Sequence, residues 1–502
     1  MTRVHVEFQR VQTWLFAVPR LRAMVGANAL LGETLRVALP DLARKTGGSW
    51  TLAPSDETYS SADANDPLRA HDDPTVDAKN GILARDGGHF EVQFSSGAEA
   101  FADAAGQLLR TRLPGLRFRI SLDDVPRMKS QVSLSTELPV LAPCSWTGHG
   151  LASVLVEQGD ERPTVSLDVA CRHKAAKKTE DGSAVDLASL LSATTKLKGL
   201  SRAQELKELV GSGYLALVHA DGNSVGSGAP KSDCGSDRAK FFHRNRVLLR
   251  RALKKSIDAH GPDQGRAPLI PLMLGGDDLL LVCRAEIALP FIVTLCKELD
   301  KFQRDDGDGF KLTLGVGVVF AKHTIPIHRL HEIAEQLAGS AKRRFRGFTE
   351  NGGVGRSVID WAVYSTTWVD DPMEVRRRDW LRSEGDDKRV LSQRPVDVLG
   401  EHLDTLEGLV GAAKSLVLVH APRSQLRYLV DQLPRGRVLS ELAFAELSKE
   451  AKEALKKAGV KTTWQPTSAN GPWLTELLDL VEISEIARLG RTSNDDREAS
   501  NG

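Results

Sequence analysis

The order strand, helix, hairpin, helix, strand occurs twice in this chain, and that repeat constrains its fold more than any other feature. In the first copy Val4, Val6 and Phe8 alternate as a strand, and Leu30, Leu31, Leu35 and Leu39 then recur at helical spacing. After a polar loop from Ser55 to Lys79, the segments Gly81 to Arg85 and His89 to Phe94 flank Asp86-Gly87-Gly88, a hairpin signal. Ala98 to Leu113 has helical periodicity, and Leu116 to Leu122 alternates as a strand. The second copy is stronger: strand Tyr214 to Ala220, helix Asp237 to His260, and two apolar runs from Leu269 to Cys283 broken by Gly275-Gly276-Asp277-Asp278. Helix Ile287 to Gln303, strand Phe310 to Phe320 and helix Ile327 to Arg346 follow. Gly87-Gly88-His89-Phe90 stands where Gly275 to Asp278 stands, and Glu7 stands near the place of Asp221, so the first copy lacks the acidic pair. Each unit predicts an antiparallel sheet with helices on one face, the ferredoxin-like arrangement, and an α+β fold overall.

The rest of the 502 residues fits around these copies. Leu141 to Lys178 reads as short strand-like segments carrying Cys144, His149, Cys171 and His173. From Asp371 the pattern is helical, over Val375 to Leu381, Val398 to Leu418, Ser424 to Leu433, Leu439 to Ala458 and Trp473 to Leu489, which predicts an all-helical C-terminal domain. The expected boundaries are 1–140, 141–210, 211–370 and 371–490, with a polar, disordered tail over 491–502. Apolar runs far shorter than the roughly 20 residues of a membrane span, no signal peptide and five cysteines point to a cytoplasmic protein with reduced thiols and no membrane partner. With 67 Lys+Arg against 66 Asp+Glu, the chain is not an indiscriminate nucleic-acid binder.

The chemistry concentrates at two places. Asp277 and Asp278 sit at the tip of a hairpin of buried strands, and strand Tyr214 to Ala220 ends in Asp221 before the loop Gly222-Asn223-Ser224-Val225-Gly226-Ser227-Gly228. If the strands are neighbours, three carboxylates converge, and their repulsion requires cations. Hard oxygen ligands suit Mg²⁺ or Mn²⁺, and two ions roughly 3.5 to 4 Å apart would stabilise attacking and leaving oxygens at phosphorus. Backbone N–H groups of the glycine-rich loop could hold a triphosphate. Lys342, in a cluster of cations closing helix Ile327 to Arg346, could reach its β or γ phosphates; for Arg343, Arg344 and Arg346, stabilisation of the helix C-terminus is the simpler reading.

Ala220-Asp221-Gly222-Asn223-Ser224-Val225-Gly226, Leu274-Gly275-Gly276-Asp277-Asp278-Leu279 and the run His323 to Lys342 resemble the large polymerase-cyclase subunit of type III CRISPR-Cas effector complexes. The resemblance implies a degenerate first palm, a cysteine-bearing insert, a second palm with the GGDD hairpin and a C-terminal helical domain. It also implies a nucleotidyltransferase that joins ATP into cyclic oligoadenylates when the complex holds guide and target RNA. Asp221, Asp277 and Asp278 would then be catalytic and metal-binding, with Gly222, Asn223, Ser224, Gly226, Gly275, Gly276 and Lys342 around the nucleotide. Three departures stand out. The first palm starts at Met1, and His71-Asp72 lies in a loop without helical metal-ligand partners, so HD nuclease activity is not expected. Asn223 stands where the family often has a second acidic residue, which keeps an oxygen ligand and removes a charge. The insert lacks paired Cys-x-x-Cys motifs; Cys144, His149, Cys171 and His173 leave a choice between an irregular zinc site and a metal-free remnant. Two other functions remain open: an RNA-binding scaffold subunit with little synthesis, and a GGDEF-like cyclase using GTP.

Overall fold

The computed structural model describes residues 1–49, 64–85, 88–129, 142–158, 161–229, 235–262, 264–305, 310–364, 371–384, 387–468 and 471–489. The expected turn residues Asp86 and Gly87, residues 55–63 of the polar loop, Cys234 and the tail 491–502 lie outside them. The chain divides into two compact units, one of Met1–Glu208, Ser224–Leu281 and Pro326–His328, the other of Leu209–Asn223, Val282–Ile325 and Arg329–Gly502.

The first copy forms β1 (Thr2–Gln9), α1 (Leu21–Glu33), β2 (Ile82–Ala84), β3 (His89–Phe94), α2 (Ala98–Arg112), β4 (Arg117–Leu122) and β5 (Val125–Lys129). The strands pair antiparallel in the order β2-β3-β1-β4-β5. Alternation decides which face is covered: Val4 and Val6 of β1 are fully buried, and α2 packs on β1 and β4. Phe101 of α2 seats between Phe90 and Phe94 of β3, with ring centroids 6.2 and 5.1 Å away. The reading of Leu141 to Lys178 as strand-like needs correction. Among its described residues Val154–Leu155 and Thr164–Val165 pair as strands, with single bridges Pro143–Leu151 and Gln158–Glu161, and α3 (Leu167–Glu180) takes the C-terminal part. Alanines and lysines favour that helix, Asp168 lies in its first turn, and Lys177 and Lys178 lie in its last. It crosses α1 so closely that a Cβ on Gly26 would fall 1.9 Å from the Arg172 carbonyl oxygen.

The second copy supplies β6 (Tyr214–Gly222), α4 (Gly235–His260), β7 (Leu269–Leu274), β8 (Asp278–Arg284), α5 (Ala285–Asp305), β9 (Leu314–Lys322), α6 (Ile327–Glu350) and β10 (Val358–Tyr364). Its six-stranded sheet has the order Val396–Asp397, β10, β9, β6, β8, β7. The division between the units falls within β8, after Leu281. In the second unit β6 and β9 are antiparallel, with His219 opposite Gly317 and Asp221 opposite Gly315, while β9 and β10 run parallel. The sheet is therefore mixed. Eight of the nine β9 residues are buried, the pattern of a strand covered on both faces.

The expectation of an all-helical C-terminal domain is also corrected. Helices Leu406–Leu418, Arg423–Gln432, Arg437–Glu446, Lys449–Lys457 and Leu477–Arg488 are present. A four-stranded sheet accompanies them, in the order Leu381–Glu384, Asp387–Val390, Trp473–Leu474, Gln465–Pro466. These strands are two to four residues long, too short to show a period-two pattern. No helix among the described residues is long and apolar enough to cross a membrane.

Candidate nucleotide and metal site

Asp221 closes β6 opposite Gly315 of β9, and helix α6 runs over that face. The approach is close: a Cβ on Gly315 would lie 2.6 Å from Lys342 Cγ and 3.0 Å from Asn223 Oδ1, so the glycine leaves room for both side chains where they stand. Across that gap the Lys342 ammonium donates to Asp221 Oδ2, with side chains 29% and 34% exposed, so the pair faces solvent and is reachable by a ligand. Asn223 is held twice by Thr313, its backbone N–H donating to the Thr313 carbonyl oxygen at 2.7 Å and its Nδ2 to the hydroxyl at 3.1 Å. The Asn223 carboxamide oxygen is buried without a hydrogen-bond partner. A carboxylate beside an unsatisfied carboxamide oxygen is the donor set of a hard divalent cation, so these residues fit Mg²⁺ or Mn²⁺. After Asn223 the chain turns through Ser224, in the left-handed region at φ 57°, into the single turn Val225–Gly228, and Gly226 and Ser227 are exposed. That turn is too short to add a helix dipole, so anion contacts here would rest on individual N–H groups.

The hairpin tip belongs to the other unit. Gly275 N–H donates to the Asp278 carbonyl oxygen at 2.8 Å, which closes the turn and leaves Gly275, Gly276, Asp277 and Asp278 all half-buried. Arg246 of α4 lies beside Gly276. The same arginine belongs to a buried ionic cluster that sequence reasoning missed. Arg250 binds both Asp66, at 3.0 Å, and Asp72, and Asp72 also faces Arg36 at 3.1 Å, Arg85 at 3.6 Å and Arg246 at 3.9 Å. Burial alone would raise the Asp72 pKa, but attraction from Arg250, Arg246, Arg36 and Arg85 outweighs it and holds the carboxyl well below the usual range. His71-Asp72 is thus a structural ion cluster, with the carboxylate saturated by guanidinium groups.

Cys144, His149, Cys171 and His173 do not come together. Cys144 is buried in an apolar cluster with Val18, Ala23, Val156, Val165 and Val169. Cys171 and His173 lie two residues apart on α3, hence on different sides of a helix, and His149 is exposed. Among the described residues the only His, Cys, Asp and Glu group with metal-ligand spacing is instead His219, His331 and Glu335, whose donor atoms lie within 4.8 Å of one another. The spacing of His331 and Glu335 by four on a helix is a legible signal, but the strand partner His219 is not.

Residues 214–347 match the family model of the Cas10/Cmr2 second palm domain, so this segment is a palm domain of that family. Comparison with curated proteins finds no match. Among solved structures, the chain is similar to a Csm1–Csm4 cassette in complex with pppApApA, at 13% identity over 97% of this chain and 69% of that one, with a TM-score of 0.45. A Csm1–Csm4 cassette with AMPPNP matches at 13% identity, over 97% and 69%, with a TM-score of 0.46. A Csm1–Csm4 subcomplex of the type III-A CRISPR-Csm interference complex matches at 12%, over 96% and 69%, with a TM-score of 0.43.

Proposed function

We propose that this chain is the large subunit of an RNA-guided type III CRISPR complex and condenses ATP into cyclic oligoadenylates. One observation carries the reading: the segment matching the Cas10/Cmr2 second palm contains Asp221, Asp277, Asp278 and Lys342 together. In this proposal residues 1–140 and 211–370 are two ferredoxin-like palms, the first without acidic residues at its hairpin, and 141–210 and 371–490 are the insert and the C-terminal domain. The substrate is ATP, and the partners are the other effector subunits with guide and target RNA.

Asp221, Asn223, Asp277 and Asp278 would hold two divalent cations. Such ions acidify a 3′-hydroxyl and neutralise charge on departing pyrophosphate. The protein's own part is placement. The Lys342 ammonium, already drawn to Asp221, would bind phosphate oxygens, and backbone N–H groups between Gly222 and Gly226, apart from that of Asn223 which Thr313 holds, would orient the triphosphate so that the 3′-oxygen of a second ATP lies in line with the α-phosphorus. The sequence assigns no histidine or glutamate as an obligatory base. The test uses the complex assembled with guide and target RNA, incubated with each labelled nucleoside triphosphate and Mg²⁺ or Mn²⁺. Cyclic adenylates that vanish with Asp277→Ala/Asp278→Ala are expected. Absence of product from every nucleotide would refute the enzyme and leave the scaffold reading, and a product from GTP alone would identify a GTP cyclase.

A further inference from the structure

The face of β6 that ends in Asp221 carries His219 one side-chain repeat earlier, beneath the same helix. His219 and His331 are 6% and 5% exposed, and their rings pack with centroids 5.7 Å apart. Glu335, one turn along α6 from His331, is exposed, and one donor atom from each of the three lies within 4.8 Å of the others. Small residues make the approach possible: opposite His219 stands Gly317, where an added Cβ would fall 2.0 Å from the Ala334 carbonyl oxygen.

We propose that His219, His331 and Glu335 form a binding site for a borderline transition-metal cation, Zn²⁺ being the reference ion, separate from the acidic residues assigned to catalysis. Two imidazole nitrogens and one carboxylate oxygen are the ligand set of Zn²⁺ with one position left for water, whereas Mg²⁺ prefers all-oxygen surroundings. Ligand bonds of about 2.0–2.2 Å require donors closer than 4.8 Å, and the exposed Glu335 carboxylate is the ligand that closes that gap on the ion. The bound ion ties β6 to α6, the two elements that present Asp221 and Lys342. Its role is to fix their spacing; it takes no part in bond making.

The full-length chain, stripped with a chelator, is dialysed against Zn²⁺ and metal is counted by mass spectrometry, with Co²⁺ absorption reporting the ligand geometry. One ion per chain is expected, retained in Asp277→Ala/Asp278→Ala and in Cys144→Ser/Cys171→Ser. Loss of a ligand should weaken binding by more than the roughly tenfold to 100-fold that an outer-shell change costs. His331→Phe preserves the ring contact, and Glu335→Gln alters only an exposed group, so one of the two should remain folded by near-UV circular dichroism. Weakened uptake in a folded variant of either kind supports the site. No uptake by the wild type, or uptake unchanged in the folded variants, overturns it. Because the readout is metal content, failure of the cyclase proposal would leave this result intact.

Discussion

Asp72 is a buried charge whose surroundings give it a structural role in the fold. Four guanidinium groups face one buried carboxylate, and removing its charge takes away the anion they share, although Asp66 still faces Arg250 and Asp77 still faces Arg85. Breaking a buried pair in this way costs about 3–5 kcal/mol, so Asp72→Asn should lower the urea midpoint strongly at pH 7. The sign with pH follows from the depressed folded-state pKa. Stability from Asp72 is fully present above its ordinary value of 3.8 and is lost as pH falls below that toward the folded value. The gap between wild type and variant should therefore narrow below about pH 4; a gap unchanged between pH 7 and the lowest pH at which the chain stays folded would contradict it. Lys342 and Asp221 differ in kind. Their pair is about a third exposed, so its contribution to stability is small and its value lies in what it offers a ligand.

Among the elements, helix α6 positions most of the site, and its seat on the sheet depends on two glycines. At Gly317 an added Cβ meets backbone, 2.0 Å from the Ala334 carbonyl oxygen and 2.6 Å from the Ala338 nitrogen, whereas at Gly315 the nearest atom is Cγ of a flexible lysine. Gly317→Ala should therefore cost roughly 1–3 kcal/mol, more than the 0.4–1 kcal/mol that alanine returns through the unfolded chain. Gly315→Ala should cost clearly less, since the lysine stem can move, and equal losses in denaturant titrations would show that α6 yields at both points. Periodicity made β6, the hairpin strands, α5 and α6 legible, because long buried elements repeat their pattern several times. It failed for α3, whose Val169, Cys171 and His173 resemble strand residues, and for the two-residue strands around Gln465 and Trp473. Of the candidate site, Asp221 and Lys342 were legible from motif spacing. The proximity of His219 to His331 was not, since it depends on the β6–β9 register and on the glycines that let α6 approach.

At the scale of the whole molecule, the near balance of charge says little about the fold, whereas the cysteines report on its integrity. Cys283 in β8 and Cys296 in α5 belong to the second unit and are fully buried; burial pushes the Cys296 thiol up to about 12, and Cys283 also moves upward. Neither is a thiolate at neutral pH, and neither reaches solvent in the native chain. Cys144 and Cys171 belong to the first unit and differ from each other. Burial raises the Cys171 thiol, with Asp168 adding to it, while at Cys144 hydrogen bonds from Thr147 and Ser166 overcome burial and lower it. Alkylation across a urea series followed by peptide mass spectrometry can thus read the two units separately. Cys283 and Cys296 should stay unmodified in native buffer and become reactive together, because exposing either requires opening the same core. Labelling of Cys296 well before Cys283 would mean that α5 detaches from the sheet on its own, and the second unit would then not unfold as one cooperative body.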